Sequence, residues 1–235
     1  MKKMKRILTT LLIALVSFVA TAQQSNTITF MGIPVDGKKA VVERRLRNEK
    51  GFFYENDLWK EAGFLTGNFN GFRVRVAIVD YNGLVNRIVV SYPDVTETQV
   101  KIQYNNLLGQ FKNNDKYVYQ VFDCSGELGD EEDISYEISV NNKQYQNVFI
   151  YPPMETLNNL KKSIEEADNP EEILQNEGLT LDDDGELTFM SRFFWIIEHA
   201  EGKVWFTIGK GVDYGKYCIL IYYENEKNKP NGEDL

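Results

Sequence analysis

Histidine is almost absent from this chain of 235 residues, and its absence excludes several kinds of active site. His199 is the single histidine, so a zinc site built from several histidines is excluded and a Ser-His-Asp triad has only one candidate base. His199 follows Glu198 near the end of a predicted helix, where a cation beside the last carbonyls is an ordinary stabilising feature. We therefore predict no catalytic residue, no metal site and no cofactor.

Cysteine is also scarce, and the two that are present leave two alternatives open. A disulfide between Cys124 and Cys218 is chemically permissible if the protein is exported. It would close a loop of about 95 residues and stabilise the fold by up to about 4.7 kcal/mol in the chain-entropy model. Cys218, however, lies in a strongly apolar segment, where a free buried thiol is equally suitable.

Two segments resemble ligand-binding loops but lack the required spacing. Gly209, Gly211 and Gly215 precede a strand, whereas a dinucleotide-binding loop opens a helix. The acidic run from Asp182 to Glu186 lacks the alternating ligand positions of a calcium loop. The first segment is better explained as a hairpin loop and the second as a solvated turn.

The chain also lacks an apolar run long enough for a permanent transmembrane helix. Its apolar run from Ile7 to Ala20 has only 14 residues. This run follows a basic start, Met1 to Arg6, and ends in the small residues Ala20-Thr21-Ala22, as a secretory signal peptide does. A buried N-terminal helix is the alternative. We predict a signal peptide over residues 1–22 and export to the periplasm or the extracellular space.

Cleavage of this segment would leave a strongly acidic chain. Removing its four cations from the 26 Lys and Arg leaves 22 against 35 Asp and Glu, a formal charge of −13. Such a surface repels phosphate backbones, so we expect no nucleic-acid partner. The cluster of Arg44, Arg45 and Arg47 is better explained as one solvated helix face.

Hydrophobic periodicity and turn residues predict an α+β fold. Asn70-Gly71 and Asn82-Gly83 indicate type I′ hairpin turns, and the segment after Phe72 alternates as a half-buried strand does. Thr96 and Gln99 form a predicted capping box before an amphipathic helix. The predicted helices are Lys38–Lys50 (capped by Asp36 and ended by Gly51), the helix that follows the capping box and extends to Phe111, and the helices Met154–Ala167, Glu171–Glu177 and Phe189–Ala200. The other predicted strands are Thr27–Phe30, Lys116–Phe122, Ser135–Val140, Gln144–Tyr151, Val204–Ile208 and Tyr217–Tyr223.

Helices and strands occur in blocks, which favours antiparallel meander sheets with helices packed on one face. Two α+β halves are plausible, residues 23–152 with the hairpins and residues 153–235 with a helical segment and an aromatic hairpin. Residues 189–200 could also form a strand, but the spacing of their apolar residues favours a helix. The polar tail from Asn225 to Leu235 is either a disordered segment or an ordered one bonded through its asparagines.

Aromatic residues make up 13% of the chain, and they are concentrated towards its end. Trp205, Tyr217, Tyr222 and Tyr223 are candidates for a binding surface, because Tyr and Trp combine apolar area with a polar group. A core of bulky residues between sheet and helices is the alternative for most of the aromatic residues.

Both ends of the predicted mature chain carry motifs that resemble one bacterial family. The segments are Phe30-Met31-Gly32-Ile33-Pro34-Val35-Asp36-Gly37 and the ending Asn231-Gly232-Glu233-Asp234-Leu235. They are similar to the F-x-G-I-P-I-D-G opening and N-G-E-D-L ending of uncharacterised exported proteins of Bacteroides- and Prevotella-type bacteria. The resemblance implies export to the cell envelope and supplies no activity.

These observations favour an exported, non-enzymatic protein that binds a partner protein or another envelope component. A carboxylate-based hydrolase acting outside the cytoplasm is the alternative, because 35 acidic residues offer many pairs. A purely structural envelope protein is a third hypothesis.

Overall fold

The computed structural model describes residues 27–120, 125–182 and 187–230. The signal-peptide prediction, Cys124 and the ending from Asn231 lie outside these residues. The helices are α1 (Lys39–Lys50), α2 (Asp57–Glu61), α3 (Glu97–Lys112), α4 (Ile134–Val140), α5 (Met154–Glu166), α6 (Pro170–Asn176) and α7 (Phe189–Glu198). The strands are β1 (Thr29–Phe30), β2 (Ile33–Pro34), β3 (Phe64–Phe69), β4 (Phe72–Tyr81), β5 (Leu84–Ser91), β6 (Val118–Gln120), β7 (Gln146–Tyr151), β8 (Gly202–Lys210) and β9 (Tyr217–Asn225). Among the described helices, none has the length and apolar character needed to cross a membrane.

Seven strands form one antiparallel sheet in the order β3-β4-β5-β9-β8-β7-β6, and β1 pairs with β2 separately. The α+β prediction is confirmed. The C-terminal hairpin β8–β9 lies in the middle of the sheet, between β5 and β7. The two predicted halves therefore share one sheet instead of each having its own, because the last two strands pair with strands from the first half.

The main core lies between one face of this sheet, the inner face, and helices α1 and α3. On β8, Val204, Phe206 and Ile208 face this core and alternate with less buried residues. Helix α3 contributes Tyr104 and Phe111, which pack their rings against Phe206. The capping box of Thr96 and Gln99 that starts α3 is present as predicted.

Helix α1 confirms the predicted end but not the predicted cap. Gly51 follows the helix with φ 73°, a left-handed conformation that glycine adopts without strain. The N-cap is Lys38, and no side chain caps the first turn. The carboxylate of Asp36 instead accepts hydrogen bonds from the Gly37 amide and from Asn228. Asp36 therefore connects the start of α1 to the C-terminal segment.

The prediction of a strand over residues 135–140 is wrong, because this segment is helix α4. The side chain of Asp133 caps the helix by accepting a hydrogen bond from the Tyr136 amide at 2.8 Å. The carboxylate of Glu97 accepts another from the Ile134 amide at 2.9 Å. Local capping and a contact with α3 thus override the β-propensity of the isoleucine- and tyrosine-rich run.

A second, smaller core joins α5, α6 and α7. Leu157, Leu160 and Ile164 of α5 pack with Leu174 of α6 and Trp195 of α7. The prediction of a helix at α7 is confirmed. This small core does not belong to the main one, so α5–α7 form a helical unit attached to the sheet at β7 and β8.

The described part of the C-terminal segment forms hydrogen bonds with residues near the start of the chain. Asn225 is 2% exposed, and its side chain donates to the Val35 carbonyl at 2.8 Å. The Asn228 side chain donates to the Val85 carbonyl and to Asp36. This part of the tail is ordered, whereas residues 231–235 lie outside the described residues.

We expect Asn225→Ala to lower the free energy of unfolding by about 1–3 kcal/mol, because the buried Val35 carbonyl loses its donor. Urea unfolding curves measure the change. Asn113→Ala, at an exposed asparagine after α3, is the control and should change stability by less than about 0.5 kcal/mol. Equal curves for both variants would contradict a stabilising role of the hydrogen bond between Asn225 and Val35.

Both predicted Asn-Gly hairpin turns are confirmed. Asn82 and Gly83 have φ values of 50° and 79°, and Asn70 and Gly71 have 50° and 81°. A Cβ atom at Gly83 would meet no atom within 4 Å, so only the backbone conformation requires glycine there.

Gly83→Val should therefore cost roughly 1 kcal/mol or more of stability, since a β-branched residue resists positive φ. Thermal unfolding followed by circular dichroism measures this cost. Gly109→Ala is the matched control, because this helical glycine also has open space and should gain about 0.5–1 kcal/mol. A Gly83→Val variant that melts like the parent would contradict the role of the turn.

Candidate functional site

The candidate site lies on the sheet face opposite the main core, here called the outer face. Strand register places six residues in one row across it, and all six are partly exposed. In strand order they are Phe64, Ala77, Val89, Tyr222, Trp205 and Val148. The ring of Trp59 packs against Phe64 at one end of the row, and Trp205 and Val148 at the other end line a cavity.

Trp205 and Tyr222 form a stacked pair at the centre of this row. Their ring centroids are 3.8 Å apart and their planes differ by 6°. The guanidinium of Arg87 lies 5.8 Å from the centroid of the Tyr222 ring. Tyr222, itself next to Arg87, thereby covers the Trp205 ring from one side and holds it in a defined orientation.

A cavity of about 430 Å³ lies on the other side of Trp205, between β7–β8 and the end of α7. Its apolar wall comprises Val148, Ile150, Ile197, Ala200 and Trp205. Its polar groups come from Gln146, Glu198, Lys203 and Glu226. The cavity thus combines an aromatic wall with groups that donate and accept hydrogen bonds, as small-molecule sites do.

An ion-pair network borders the cavity. Glu224 is 5% exposed and accepts from Arg87 at 2.7 Å and from Lys203 at 3.3 Å. Lys203 also contacts Glu226 at 3.1 Å, and Lys229 contacts Glu226 at 2.9 Å. Burial alone would lower the pKa of Lys203, but Glu226 and Glu224 raise it above its ordinary value. Lys203 therefore stays charged and fixed beside Trp205.

The pKa of Glu226 moves in the opposite direction. Burial would raise this pKa, but Lys229 and Lys203 together hold it below its ordinary value. Glu226 is accordingly a permanent carboxylate at neutral pH and acts as a hydrogen-bond acceptor in the cavity wall.

The structure separates the four aromatic residues predicted as one binding surface. Trp205 and Tyr222 lie on the outer face, whereas Tyr217 and Tyr223 are 6% and 5% exposed and belong to the main core. Tyr223 packs against Phe30 with centroids 5.1 Å apart. Consecutive residues of a strand point to opposite faces, so Tyr222 and Tyr223 cannot share one surface.

Sequence reasoning did not find the rest of the site. Gln146 and Val148 stand beside Trp205 only because β7 pairs with β8, and Ile197 and Glu198 come from the end of α7. The alternation of β8 could have separated Trp205 from Phe206. No local signal shows which strand becomes the neighbour.

The side chain of His199 packs against Trp195 at the end of α7. Its ring stacks on Trp195 with centroids 4.3 Å apart, and its Nδ1 lies 2.9 Å from the Trp195 carbonyl oxygen. Trp195 donates in turn to Glu177 at 2.9 Å. These contacts secure the end of α7 next to the cavity.

Cys218 is 9% exposed, and burial raises the pKa of its thiol. Cys124 lies outside the described residues, so the disulfide stays a prediction.

The two segments that resemble ligand-binding loops are described in part. Gly211 and Gly215 lie in the loop between β8 and β9, in agreement with the prediction of a hairpin loop. Of the acidic turn, residues 183–186 lie outside the described part, and the described residues hold no cluster of three metal-ligating side chains.

Comparison with protein-family models, with curated proteins and with solved structures finds no match to this chain. The resemblance to exported proteins of Bacteroides- and Prevotella-type bacteria stays a prediction.

Proposed function

We propose that this protein is exported and acts as a binding protein of the bacterial cell envelope, with its site on the outer face of the sheet. The observation that carries the proposal is the stacked pair of Trp205 and Tyr222 beside the cavity. A partly exposed tryptophan in a fixed orientation gives a ligand a large contact area with little loss of side-chain entropy. The predicted signal peptide over residues 1–22 supports export.

The one cavity carboxyl group with a clear pKa shift is suited to binding. A glycosidase-type general acid requires a raised pKa. The pKa of Glu226 is lowered instead, because Lys229 and Lys203 outweigh the effect of burial. Glu226 is therefore suited to accept hydrogen bonds from a bound ligand.

The proposal predicts that the double variant Trp205→Ala/Tyr222→Ala loses its partner. The mature protein is immobilised and exposed to a solubilised envelope fraction, and captured proteins and glycoconjugates are identified by mass spectrometry. We expect the parent to retain a specific component and the variant to retain at most about a tenth as much, since central aromatic residues dominate binding energy.

Tyr214→Ala is the matched control. Tyr214 is fully exposed at the β8–β9 loop, far from the stacked pair in the register of the two strands. This variant should capture the same component as the parent. Equal capture by the parent and the Trp205/Tyr222 variant would refute the outer-face site.

A further inference from the structure

We propose that the cavity beside Trp205 binds a neutral saccharide, with one face of a sugar ring packed on the indole. This inference rests on the proposed function, because it names the ligand class of the same outer-face site. Tyr222 covers one side of Trp205, while the cavity lies on the side of β8 that faces β7. The indole can therefore form one flat wall of the site.

The cavity wall requires a ligand that is both apolar and polar. Val148, Ile150 and Ile197 line it together with Trp205, and an entirely polar ligand would leave their apolar surface in contact with water. An entirely apolar ligand would instead take the Gln146 amide and the Glu198 carboxylate out of water without giving them partners. A sugar ring has an apolar C–H face and a rim of hydroxyl groups, and it satisfies both conditions.

The hydrogen-bonding groups match hydroxyls in particular. Lys203 can only donate, the carboxylates of Glu198 and Glu226 can only accept, and the Gln146 amide can do both. A hydroxyl donates and accepts, so neighbouring hydroxyls of one ring can bond to all three kinds of group. A ligand with only donors or only acceptors would leave part of the wall unpaired.

The charges around the cavity favour a ligand without net charge. The cavity wall itself carries one cation, Lys203, and two carboxylates, Glu198 and Glu226. The adjoining network adds two cations and one carboxylate: Arg87, Lys229 and Glu224. Together these six formal charges cancel, although the predicted mature chain carries −13. A cationic or anionic ligand would therefore meet no excess of opposite charge. The volume of about 430 Å³ suits roughly one or two sugar rings.

Calorimetric titration tests the inference with four neutral tetrasaccharides, built from glucose, mannose, xylose or N-acetylglucosamine. We expect the mature protein to bind at least one of them. Trp205→Ala and Gln146→Ala should each weaken that binding by at least about tenfold. Gln146→Ala removes only a partly exposed amide, so its fold is secure even if the tryptophan variant is unstable.

Two exposed residues away from the cavity provide matched controls, Tyr214→Ala and Gln175→Ala, and both should bind as the parent does. No binding to any of the four tetrasaccharides would overturn the inference, as would equal binding by the parent and both cavity variants. The proposed function is judged separately by envelope capture. Loss of capture in the Trp205/Tyr222 variant without saccharide binding would refute the ligand class alone, and unchanged capture would refute the site itself.

Discussion

Phe206→Ala is expected to lower the free energy of unfolding by about 3–5 kcal/mol, whereas Trp205→Ala, one residue earlier, should lower it by only about 1–2 kcal/mol. Phe206 is completely buried and packs its ring against Tyr104, Phe111 and Phe149. Its removal leaves a cavity in the main core. Trp205 lies on the opposite face of the same strand, where water can occupy the vacated space.

Chemical denaturation with a linear extrapolation measures both changes. The loss of binding should follow the opposite order. Trp205→Ala should no longer bind the ligand or partner, whereas Phe206→Ala should still bind it at temperatures where this variant is folded. The pair of variants thus separates a stability role from a binding role within two adjacent residues. Similar losses of stability in the two variants would contradict the assignment of inner and outer faces.

Alkaline conditions are expected to destabilise the protein steeply above about pH 10. Burial raises the pKa of Tyr92 to about 12 and also raises that of Tyr117 and Tyr223. These phenols stay protonated in the folded state, whereas those of the unfolded chain ionise near pH 10. The unfolded state then binds fewer protons, so stability is full below pH 10 and falls as the pH rises towards 12.

Each such tyrosine should cost about 1.4 kcal/mol of stability per pH unit in this window, or roughly 4 kcal/mol per unit for the three together. That loss is comparable to the whole stability of an ordinary domain. Urea unfolding at pH 9.5, 10.5 and 11.5 measures the slope. Tyr223→Phe should reduce it by about 1.4 kcal/mol per unit, and Tyr214→Phe, at an exposed residue, should leave it unchanged. Constant stability up to pH 11.5 would contradict the burial of these phenols.

Local signals predicted most of the regular structure correctly, because their causes act over a few residues. The Asn-Gly turns need positive φ at two positions, and the capping box of Thr96 and Gln99 satisfies backbone groups in its own first turn. Residues 135–140 were an exception. Their helix depends on Glu97, which is remote in sequence, as well as on the Asp133 cap.

The candidate site was predictable only in part. An excess of aromatic residues near the end of the chain pointed to Trp205 and Tyr222, and strand alternation would have excluded Tyr217 and Tyr223 from the same surface. The cavity itself depends on β7 pairing with β8 and on the end of α7 lying over them. Neither contact has a local sequence signature.

By itself, then, the sequence determined the fold class, the hairpin turns and the main helices, since periodicity and turn geometry are local properties. Its single histidine also excluded zinc sites built from several histidines. Only the tertiary structure decided that the hairpin of β8 and β9 lies in the middle of one shared sheet, and that Trp205 faces a cavity while Phe206 faces the core. The order of the strands depends on how well the whole apolar surface is buried. Residues distant in sequence contribute to that surface together, so no local segment determines the order.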